Sequence, residues 1–516
     1  MAWPLVIFLL SPALTRAETG VQAWVRRYNG PGSSYSNSDQ ATAVAVDGSN
    51  NIIVTGYSTG SGSGTDYATI KYSSAGVPLW TNRYNGPVNG SDLAAAVAVD
   101  GNNNVILTGS SDAGDGTTVD YATIKYSSAG EPLWTNRYTG PVYGGDRPCA
   151  VAVDGSNNVI VTGYSYSGTD SGTDYATIKY SSAGEPLWTN RYTGPGNYLD
   201  RANAMAVDGS NNVIVTGSSF SSPSMMSSDY ATIKYSRDGV PLWTNLYNGP
   251  VNGPDMASAV AVDGNNNVIV TGESAGGGGG FDYATIKYSG AGAPLWTNTY
   301  PNGSPYAVAV DRSNNVIVTG SSGSGCATIK YSSAGAPLWT NCYSGPGGSY
   351  GEALAVAVDA SNSVIVTGYS ANTNVSPYNY DYATIKYSSA GAPLWTNRYN
   401  GPGNSDDEAL AVALDHSGNV IVTGYSTGSG GNVDYATIKY VCVPEPLMTG
   451  LQLTNGAFHL RVDAVLQPGT LVIEASTNLR AWTPVFTNTK PTNVLFYTDP
   501  QAGSAPTRFY RAFQFP

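Results

Sequence analysis

Residues 66–87 read DYATIKYSSAGVPLWTNRYNGP, and close variants of this phrase recur along the 516-residue chain. Each unit holds four apolar or β-branched runs, of the types AVAVD, NVIVTG, DYATIKY and PLWTNRY, separated by Gly, Pro, Asn, Asp and Ser. Four short strands divided by turn residues are typical of an all-β repeat. The string ATIKY is unchanged in eight copies, which start at Ala68, Ala122, Ala176, Ala231, Ala284, Ala327, Ala383 and Ala436.

The spacing of the units indicates what kind of repeat this is. The Asp that ends AVAVD or its variants also has eight copies, beginning with Asp47 and ending with Asp415. A period of roughly 50 residues suits one four-stranded propeller blade. A single blade leaves both faces of its sheet exposed, so the blades must stack, and closing the stack into a ring removes its ends.

The two most constant strings of the unit resemble a known repeat. A-x-A-V-D-G-x-x-N-V-x-V-T-G followed by D-Y-A-T-I-K-Y-S-S-A-G is similar to the bacterial seven-bladed β-propeller (SBBP) repeat, and more distantly to the NHL repeat. The resemblance covers residues 21–440. It implies that AVAVD is the innermost strand, NVIVTG the second, DYATIKY the third and PLWTNRY the outermost, although this chain has eight copies. That family is defined by its fold and implies little about activity.

With this strand assignment, the repeat region begins on an outermost strand, Gln22–Tyr28, and ends on a third strand, Asp434–Tyr440. We therefore predict an all-β fold: an eight-bladed β-propeller of four-stranded blades, closed by the N-terminal strand.

Composition and the N-terminus limit the classes of function. A net charge of −12 with only 12% charged residues and 37 Tyr predicts neither disorder nor nucleic-acid binding. Residues 1–17, with the apolar run Leu5–Leu10, are typical of a signal peptide cleaved near Ala17, and a buried first strand is the alternative. We expect a secreted or cell-surface monomer without a transmembrane segment.

The connections between strands divide into two sets. The DGSNN-type and SSAG-type turns are nearly constant and share one rim, which we call the constant rim. The opposite, variable rim carries loops of changing length, such as residues 55–66, 216–229 and 367–381. Variable loops on a rigid scaffold are where binding usually occurs, so we predict a ligand site there. Its candidate aromatic residues are Tyr143, Tyr198 and Tyr378.

Acidic residues recur eight positions before the Asp that ends the innermost strand. Six are aspartates, and in the seventh unit an acid displaced by one position, Glu352, takes their place. On the predicted propeller, these residues surround the opening of the central channel on the variable rim, which we call the channel mouth. Carboxylates that converge there can bind a ligand, attract a basic partner or hold Ca²⁺. The alternative is that each one caps backbone N–H groups of a turn. The aspartates are Asp39, Asp92, Asp146, Asp200, Asp255 and Asp407.

Other recurring residues favour a structural role. The Trp of the PLWTNRY-type run has eight copies that preserve the symmetry of the repeat, so we expect them to pack between blades rather than to bind a cofactor. The eight Lys of ATIKY are expected near the AVAVD Asp. No cofactor is predicted, apart from Ca²⁺ as a weak alternative. The chain has two histidines, His416 and His459, so no nucleophilic triad is expected. A pair of carboxylates that cleaves glycosidic bonds is an alternative that the sequence leaves open.

Two of the four cysteines occupy related positions in the sixth unit. Cys326 and Cys342 are equally far from Ala334, the centre of the SSAG-type turn. In other units the same symmetric positions hold Tyr and Arg, as in Tyr67 and Arg83. We therefore predict that the two cysteines face each other and form a disulfide, with two independent thiols as the alternative.

After Tyr440 the repeat stops. Residues 441–450 are predicted to be a linker and residues 451–516 a small β-sandwich. The run VIEASTNLRAWTPVFTNT resembles short C-terminal modules of secreted bacterial surface proteins, which implies an adhesive or anchoring role.

We hypothesise from these patterns that this is an exported, non-catalytic propeller that binds a polysaccharide or protein on its variable rim. The alternative is a carbohydrate-active enzyme, a glycosidase or lyase, that uses carboxylates at the channel mouth. An enzyme would need carboxylates that converge from one or two blades only.

Overall fold

The fold was derived from a computed structural model that describes most of the chain after residue 17. The described residues are 18–32, 38–62, 64–114, 118–142, 144–168, 172–221, 227–323, 325–346, 348, 350–372, 379–444, 447–454, 457–463, 470–477, 480, 482–489, 494–499 and 509–515. Tyr143, Tyr378 and the predicted signal peptide lie outside them. All regular secondary structure in these ranges is β-strand.

The repeat region forms four-stranded antiparallel sheets, numbered here in chain order. Sheets 1 to 4 consist of β2 (Asp39–Val46), β3 (Ile52–Thr59), β4 (Thr65–Tyr72), β5 (Pro78–Tyr84); β6 (Asp92–Val99), β7 (Val105–Asp112), β8 (Val119–Tyr126), β9 (Pro132–Tyr138); β10 (Arg147–Val153), β11 (Val159–Tyr166), β12 (Thr173–Tyr180), β13 (Pro186–Tyr192); and β14 (Asp200–Val207), β15 (Val213–Phe220), β16 (Ser228–Tyr235), β17 (Pro241–Tyr247).

Sheets 5 to 8 have the same layout. They consist of β18 (Asp255–Val262), β19 (Val268–Ala275), β20 (Phe281–Tyr288), β21 (Pro294–Tyr300); β22 (Gly303–Val310), β23 (Val316–Ser322), β24 (Gly325–Tyr331), β25 (Pro337–Tyr343); β26 (Gly351–Val358), β27 (Val364–Ala371), β28 (Tyr380–Tyr387), β29 (Pro393–Tyr399); and β30 (Asp407–Leu414), β31 (Val420–Thr427), β32 (Val433–Pro444), β1 (Glu18–Tyr28). Sheet 8 thus takes its fourth strand from the N-terminal end of the repeat region.

Neighbouring sheets pack face to face through their first three strands. The first strands contact one another from sheet to sheet, and β30 of sheet 8 contacts β2 of sheet 1. The hydroxyl of Tyr67 in sheet 1 donates a hydrogen bond to the carbonyl of Ala122 in sheet 2, at 3.3 Å. Tyr435 in sheet 8 does the same to Ala68 in sheet 1, at 3.1 Å. Repeated four-stranded antiparallel sheets packed in this way make a propeller-like all-β fold.

The core lies between sheets rather than within them. Ile53 and Tyr67 of sheet 1 share one cluster with Val105, Leu107 and Ile124 of sheet 2. The second strands are apolar on both faces because a neighbouring sheet covers each face. This explains why the VIV of NVIVTG is apolar at three consecutive positions and does not alternate with polar residues.

The predicted register between the third and fourth strands was wrong by one residue. Tyr72 pairs with Pro78 but Lys71 pairs with Trp80, so Leu79 is an extra, bulged residue. Beyond the bulge, Tyr67 lies opposite Tyr84 and not opposite Arg83. The same bulge recurs in sheets 2 to 7, so the symmetric numbering about the turn fails in all seven hairpins between third and fourth strands. A one-residue slip moves each side chain to the other face of the sheet.

The same bulge overturns the predicted disulfide. Cys326 lies opposite Tyr343, whereas Cys342 lies opposite Ala327. Both cysteines are free thiols, and Cys326 is buried whereas Cys342 is exposed. Adjacent positions on a strand point to opposite faces, so the two sulfur atoms do not face each other.

The chain separates into two compact units, one of which spans Gln22–Tyr440. The described residues after Tyr440 build two three-stranded antiparallel sheets. Leu460, Val462, Leu471 and Ile473 form a common apolar cluster with side chains from both sheets. The strands are β33 (Leu447–Thr454), β34 (Ala457–Asp463) and β37 (Val494–Asp499) in one sheet, and β36 (Thr483–Asn488), β35 (Thr470–Ser476) and β38 (Phe509–Phe515) in the other.

Among the described residues, no helix is long and apolar enough to cross a membrane.

Candidate functional site

The polar groups of the constant-rim turns form hydrogen bonds with one another. Asp47 accepts the backbone N–H groups of Ser49 and Asn51, each at 2.9 Å, which closes the DGSNN turn. The N–H of Gly48 donates to the side-chain oxygen of Asn103 in the next sheet, at 2.8 Å. Equivalent bonds link most neighbouring turns. These polar groups hold the sheets together and leave little on this rim for a ligand.

The lysines of ATIKY lie beside the aspartates that end the first strands, as the sequence predicted. Lys71 and Asp47 are 2.8 Å apart, and both side chains are buried. Burial by itself raises the pKa of Asp47, but hydrogen bonds from Lys71, Asn51 and the backbone outweigh it, so the pKa lies below its ordinary value. The other pairs are Lys125–Asp100, Lys179–Asp154, Lys234–Asp208, Lys287–Asp263, Lys330–Asp311, Lys386–Asp359 and Lys439–Asp415.

The recurring tryptophans pack between sheets, as predicted from their symmetry. The indole N–H of Trp80 donates to the carbonyl of Ser128 in the next sheet, at 3.2 Å. Its ring lies over Gly130, whose φ is +90°, and a Cβ added there would be 2.8 Å from the indole. Glycine in the SSAG turn therefore makes room for the tryptophan of the preceding sheet.

The six recurring aspartates of the variable rim cap turns. The Asp39 carboxylate accepts the backbone N–H groups of Gly30, at 2.8 Å, and Thr59, at 3.0 Å. All six side chains are fully buried: Asp39, Asp92, Asp146, Asp200, Asp255 and Asp407. The other five accept the N–H of the equivalent glycine, Gly86, Gly140, Gly194, Gly249 or Gly401. A direct ligand contact would require these bonds to break.

Burial raises the pKa of several of these carboxyls. For Asp200 it outweighs the hydrogen bonds from Ser219 and Gly194, and the nearby Asp174 charge adds to the effect, which brings the pKa to about 6. The pKa values of Asp92, Asp146 and Asp407 are raised for the same main reason.

Glu352 does not occupy the position of these aspartates. Gly351 stands there, and Glu352 is the next residue of β26, opposite Tyr369 of β27. The one-residue displacement turns its side chain away from the capping position. Glu352 is therefore half-buried, unlike the fully buried aspartates.

Glu352 belongs instead to a set of paired positions that we call the mouth pairs. Each consists of the residue that directly follows the Asp39-type position at the start of a sheet's first strand, and the residue opposite it on the second strand. Both lie at the variable rim. These positions differ from sheet to sheet, although the strands around them are nearly constant. In sheets 1 to 8 they are Gln40–Tyr57, Leu93–Ser110, Arg147–Tyr164, Arg201–Ser218, Met256–Glu273, Ser304–Ser321, Glu352–Tyr369 and Glu408–Tyr425.

Sheets 6, 7 and 8 build a group of tyrosines and glutamates at this mouth, which we call the Tyr/Glu cluster. The rings of Tyr369 and Tyr380 are 5.0 Å apart between centroids, and Tyr350 lies 6.4 Å from Tyr369 and 6.3 Å from Tyr380. The Tyr350 hydroxyl donates to the Glu352 carboxylate. Tyr350 is 44% exposed, so its ring is accessible from solvent. The cluster consists of Tyr306, Tyr350, Glu352, Tyr369, Tyr380, Glu408 and Tyr425.

Charges inside the cluster act on one another. Burial raises the pKa of Glu408, and the charges of Asp406 and Glu352 raise it further, against a hydrogen bond from Tyr425 that lowers it. Burial and the Glu352 carboxylate likewise raise the pKa of Tyr369. Glu352 of sheet 7 and Glu408 of sheet 8 are therefore close enough to interact through an environment that screens them poorly.

Tyr306 extends the cluster across the junction between sheets 6 and 7. It is the bulged residue of β22, between Pro305 and Ala307. Its pKa is raised by burial and by the charges of Glu352 and Glu273. Two other residues at this bulge reach the next sheet: Thr42 donates to the Ala94 carbonyl at 2.9 Å, and Asn203 donates to the Ala257 carbonyl at 2.8 Å.

Sheets 3 and 4 give the mouth the opposite charge. The guanidinium of Arg201 lies over the ring of Tyr164, 5.1 Å from its centroid, in a cation–π contact between the two sheets. Arg147 and Arg201 are both exposed.

Sequence reasoning singled out Glu352 but missed the residues that surround it. Tyr198 is half-buried on the approach to β14. Glu408, Tyr369 and Tyr425 do not recur in most units, so a pattern of recurring residues does not include them. The available signal is variation: the mouth pairs differ among most units, although sheets 7 and 8 share Glu and Tyr.

Within the described residues, no group of three or more His, Cys, Asp or Glu side chains is arranged to hold a metal ion.

No protein-family model matches the chain. Over an aligned part that covers 30% of this chain, the sequence is 28% identical to the uncharacterized WD repeat-containing protein L264 of Acanthamoeba polyphaga mimivirus. The aligned part is only 14% of that viral protein. The chain thus has a WD-repeat relative, in agreement with its propeller-like sheets.

Two similar solved structures cover most of this chain. The structure described as the Dos1 propeller aligns with 82% of this chain and 95% of its own, at 9% identity and a TM-score of 0.49. PorZ, a surface component of the type-IX secretion system of Porphyromonas gingivalis, aligns with 92% of this chain and 65% of its own, at 12% identity and a TM-score of 0.41. At such values neither alignment indicates what this chain binds.

Proposed function

We propose that this protein is an exported, closed eight-bladed β-propeller with a C-terminal β-sandwich, and that it binds a polysaccharide at the variable-rim mouth. The ring is supported by the contacts of β30 with β2 and by the hydrogen bond from Tyr435 to Ala68. The sandwich is supported by the apolar cluster shared by the two C-terminal sheets. Export rests on the sequence of residues 1–17.

The Tyr/Glu cluster is the observation that carries this function. Tyrosine rings offer flat apolar faces on which sugar rings stack, and their hydroxyls with the glutamates offer hydrogen bonds to sugar hydroxyls. Tyr350 presents such a ring to solvent. On the constant rim, the polar atoms of the described DGSNN turns bind one another.

A glycan array tests this proposal. The wild type is compared with Tyr350→Ala, which removes the exposed ring, and with Asn102→Glu, which alters an exposed turn residue of the constant rim. We expect binding to a defined group of glycans that weakens about tenfold in Tyr350→Ala and is unchanged in Asn102→Glu. Retention of full binding in Tyr350→Ala, or absence of glycan binding by the wild type, would contradict the proposal.

A second candidate is a carbohydrate-active enzyme, favoured by one observation. Glu352 and Glu408 come from two adjacent sheets only, and the pKa of Glu408 is raised, as expected for a general acid. A hydrolysis and lyase screen of the wild type and Glu408→Gln decides between the two. Turnover that is lost in Glu408→Gln supports the enzyme, whereas glycan binding without turnover supports the binding protein.

A further inference from the structure

We propose that the ligand of the mouth is a glycan that carries both protonated amines and carboxylates, with the amine held at the Tyr/Glu cluster and the carboxylate at Arg147 and Arg201. This inference rests on the proposed glycan binding and specifies the class of glycan. It follows from how charge is distributed over otherwise equivalent mouth pairs.

The charges of the mouth pairs are segregated. Arginines occupy this position in sheets 3 and 4, and glutamates occupy it in sheets 7 and 8. Sheets 3 and 7, and likewise 4 and 8, are four apart, so in a closed ring of eight they lie on opposite sides of the axis. In sheets 1 and 2 the position holds the uncharged residues Gln40 and Leu93. The mouth therefore has an acidic side and a basic side.

The acidic side is suited to an ammonium group. It combines two carboxylates that interact with each other and the ring of Tyr350, which is open to solvent. A cation gains from a carboxylate and from the face of an aromatic ring at the same time. A protonated amine would also relieve the repulsion that raises the pKa of Glu408. Glu273 of sheet 5, which acts on Tyr306, adds to the negative charge on this side.

The basic side is suited to a carboxylate. Arg201 stacks on Tyr164, and among the described residues no hydrogen bond from its guanidinium is recorded. A stacked guanidinium in this state can bind a carboxylate in the bidentate manner. The chain as a whole carries a net charge of −12, so an anion is repelled by most of the protein. Two neighbouring arginines at the mouth therefore mark where an acidic group of the ligand is tolerated.

Three oligosaccharides with one backbone test the assignment. The first alternates glucuronate with glucosamine bearing free amines, the second is its N-acetylated form, and the third is its carboxyl-reduced form. Affinities for each are measured by calorimetry with the wild type, with Glu352→Gln/Glu408→Gln and with Arg147→Gln/Arg201→Gln. Melting temperatures establish that each variant is folded.

We expect the wild type to bind the first probe about tenfold more tightly than either modified form, the size of effect given by one charge-assisted hydrogen bond. The glutamate variant should lose the preference for free amines and keep the preference for carboxylates. The arginine variant should show the reverse. Equal affinity for all three probes would overturn this inference but leave glycan binding intact, whereas no binding of any glycan would overturn both. Capture of a peptide of alternating Lys and Asp, with no oligosaccharide bound, would also overturn it.

Discussion

The Nζ atom of Lys71 lies 2.8 Å from Oδ2 of Asp47, with side-chain exposures of 3% and 1%. The ammonium also donates to the Ser128 carbonyl of the next sheet, at 3.0 Å. One lysine thus joins its own turn to the neighbouring sheet. The same bond to a carbonyl of the next sheet is made by Lys125, Lys179, Lys234, Lys287, Lys330 and Lys439. A buried ion pair contributes little net stability, but removing one partner leaves the other charge uncompensated.

We therefore predict that Lys71→Met lowers the free energy of unfolding by about 3–5 kcal/mol. The double variant Lys71→Met/Asp47→Asn should lose less, because Asn keeps an oxygen that accepts the N–H groups of Ser49 and Asn51. Denaturant unfolding followed by circular dichroism measures both. A double variant less stable than Lys71→Met would show that the uncompensated charge is not the main cost.

One turn of the constant rim lacks the Asn that the other seven turns share, and this predicts a stabilising substitution. In seven units the turn has an Asn with positive φ whose side-chain oxygen accepts an N–H from the preceding sheet: Asn50, Asn103, Asn157, Asn211, Asn266, Asn314 and Asn362. The eighth unit has Gly418, with φ +78° and no atom within 4 Å of an added Cβ. In Gly418→Asn, the new side-chain oxygen should therefore accept a hydrogen bond from the backbone N–H of Ala360.

We expect Gly418→Asn to raise the free energy of unfolding by about 0.5–1.5 kcal/mol. Gly418→Ala is the control: it has no acceptor and is strained at positive φ, so it should lose about 1 kcal/mol. Thermal unfolding compares them. If both variants were destabilised equally, the inter-sheet hydrogen bond would not be forming.

The corrected register predicts how the thiols react. Burial raises the pKa of Cys326 to about 12, and its side chain is only 5% exposed, whereas Cys342 is exposed. Iodoacetamide at pH 8 should label Cys342 in the native protein and Cys326 only after unfolding. Peptide mapping without reducing agent reads out both sites, and Cys342→Ser serves as the control. A disulfide-linked peptide that contains both cysteines would contradict this prediction and support the disulfide predicted from the sequence.

Asp200 predicts a pH dependence of stability. Its pKa in the folded protein is about 6, mainly because of burial, and the unfolded chain has an ordinary value near 4. The folded state thus binds this proton more tightly, so the stabilisation is complete below about pH 4 and is lost as the pH rises through about 6.

Relative to Asp200→Asn, the wild type should therefore lose up to about 2–3 kcal/mol between pH 4 and pH 7. Asn keeps an oxygen that accepts the Gly194 N–H. Denaturant unfolding at both pH values gives the difference between the two proteins. If the two stability profiles ran parallel, Asp200 would not be the titrating group.

Much of the fold could be predicted because the same pattern of strands and turns occurs in eight copies. The run DYATIKY was expected as a third strand, and β4 (Thr65–Tyr72) contains it. The pairing of ATIKY lysines with the AVAVD aspartates also followed from the sequence. Local strand propensity, turn chemistry and the need to bury both faces of each sheet act over short stretches, so the sequence carries them directly.

The register of the outer hairpin could not be predicted from symmetry about the turn. The bulge at Leu79 lies directly before Trp80, which contacts Ser128 and Gly130 of the next sheet. The predicted facing of Cys326 and Cys342 failed for this reason. A single inserted residue reverses which face a side chain occupies, and only packing decides where that residue goes.

The amino-acid sequence by itself determined the strand order within each unit, the two kinds of turn and the buried lysine–aspartate pairs. Only the tertiary structure decided which residues meet at the mouth. Glu352 and Glu408 are in different units, and Arg201 reaches Tyr164 across a sheet boundary. Such contacts depend on how whole sheets pack against one another. The angle and spacing of that packing arise from many apolar contacts at once, and no short stretch of sequence records them.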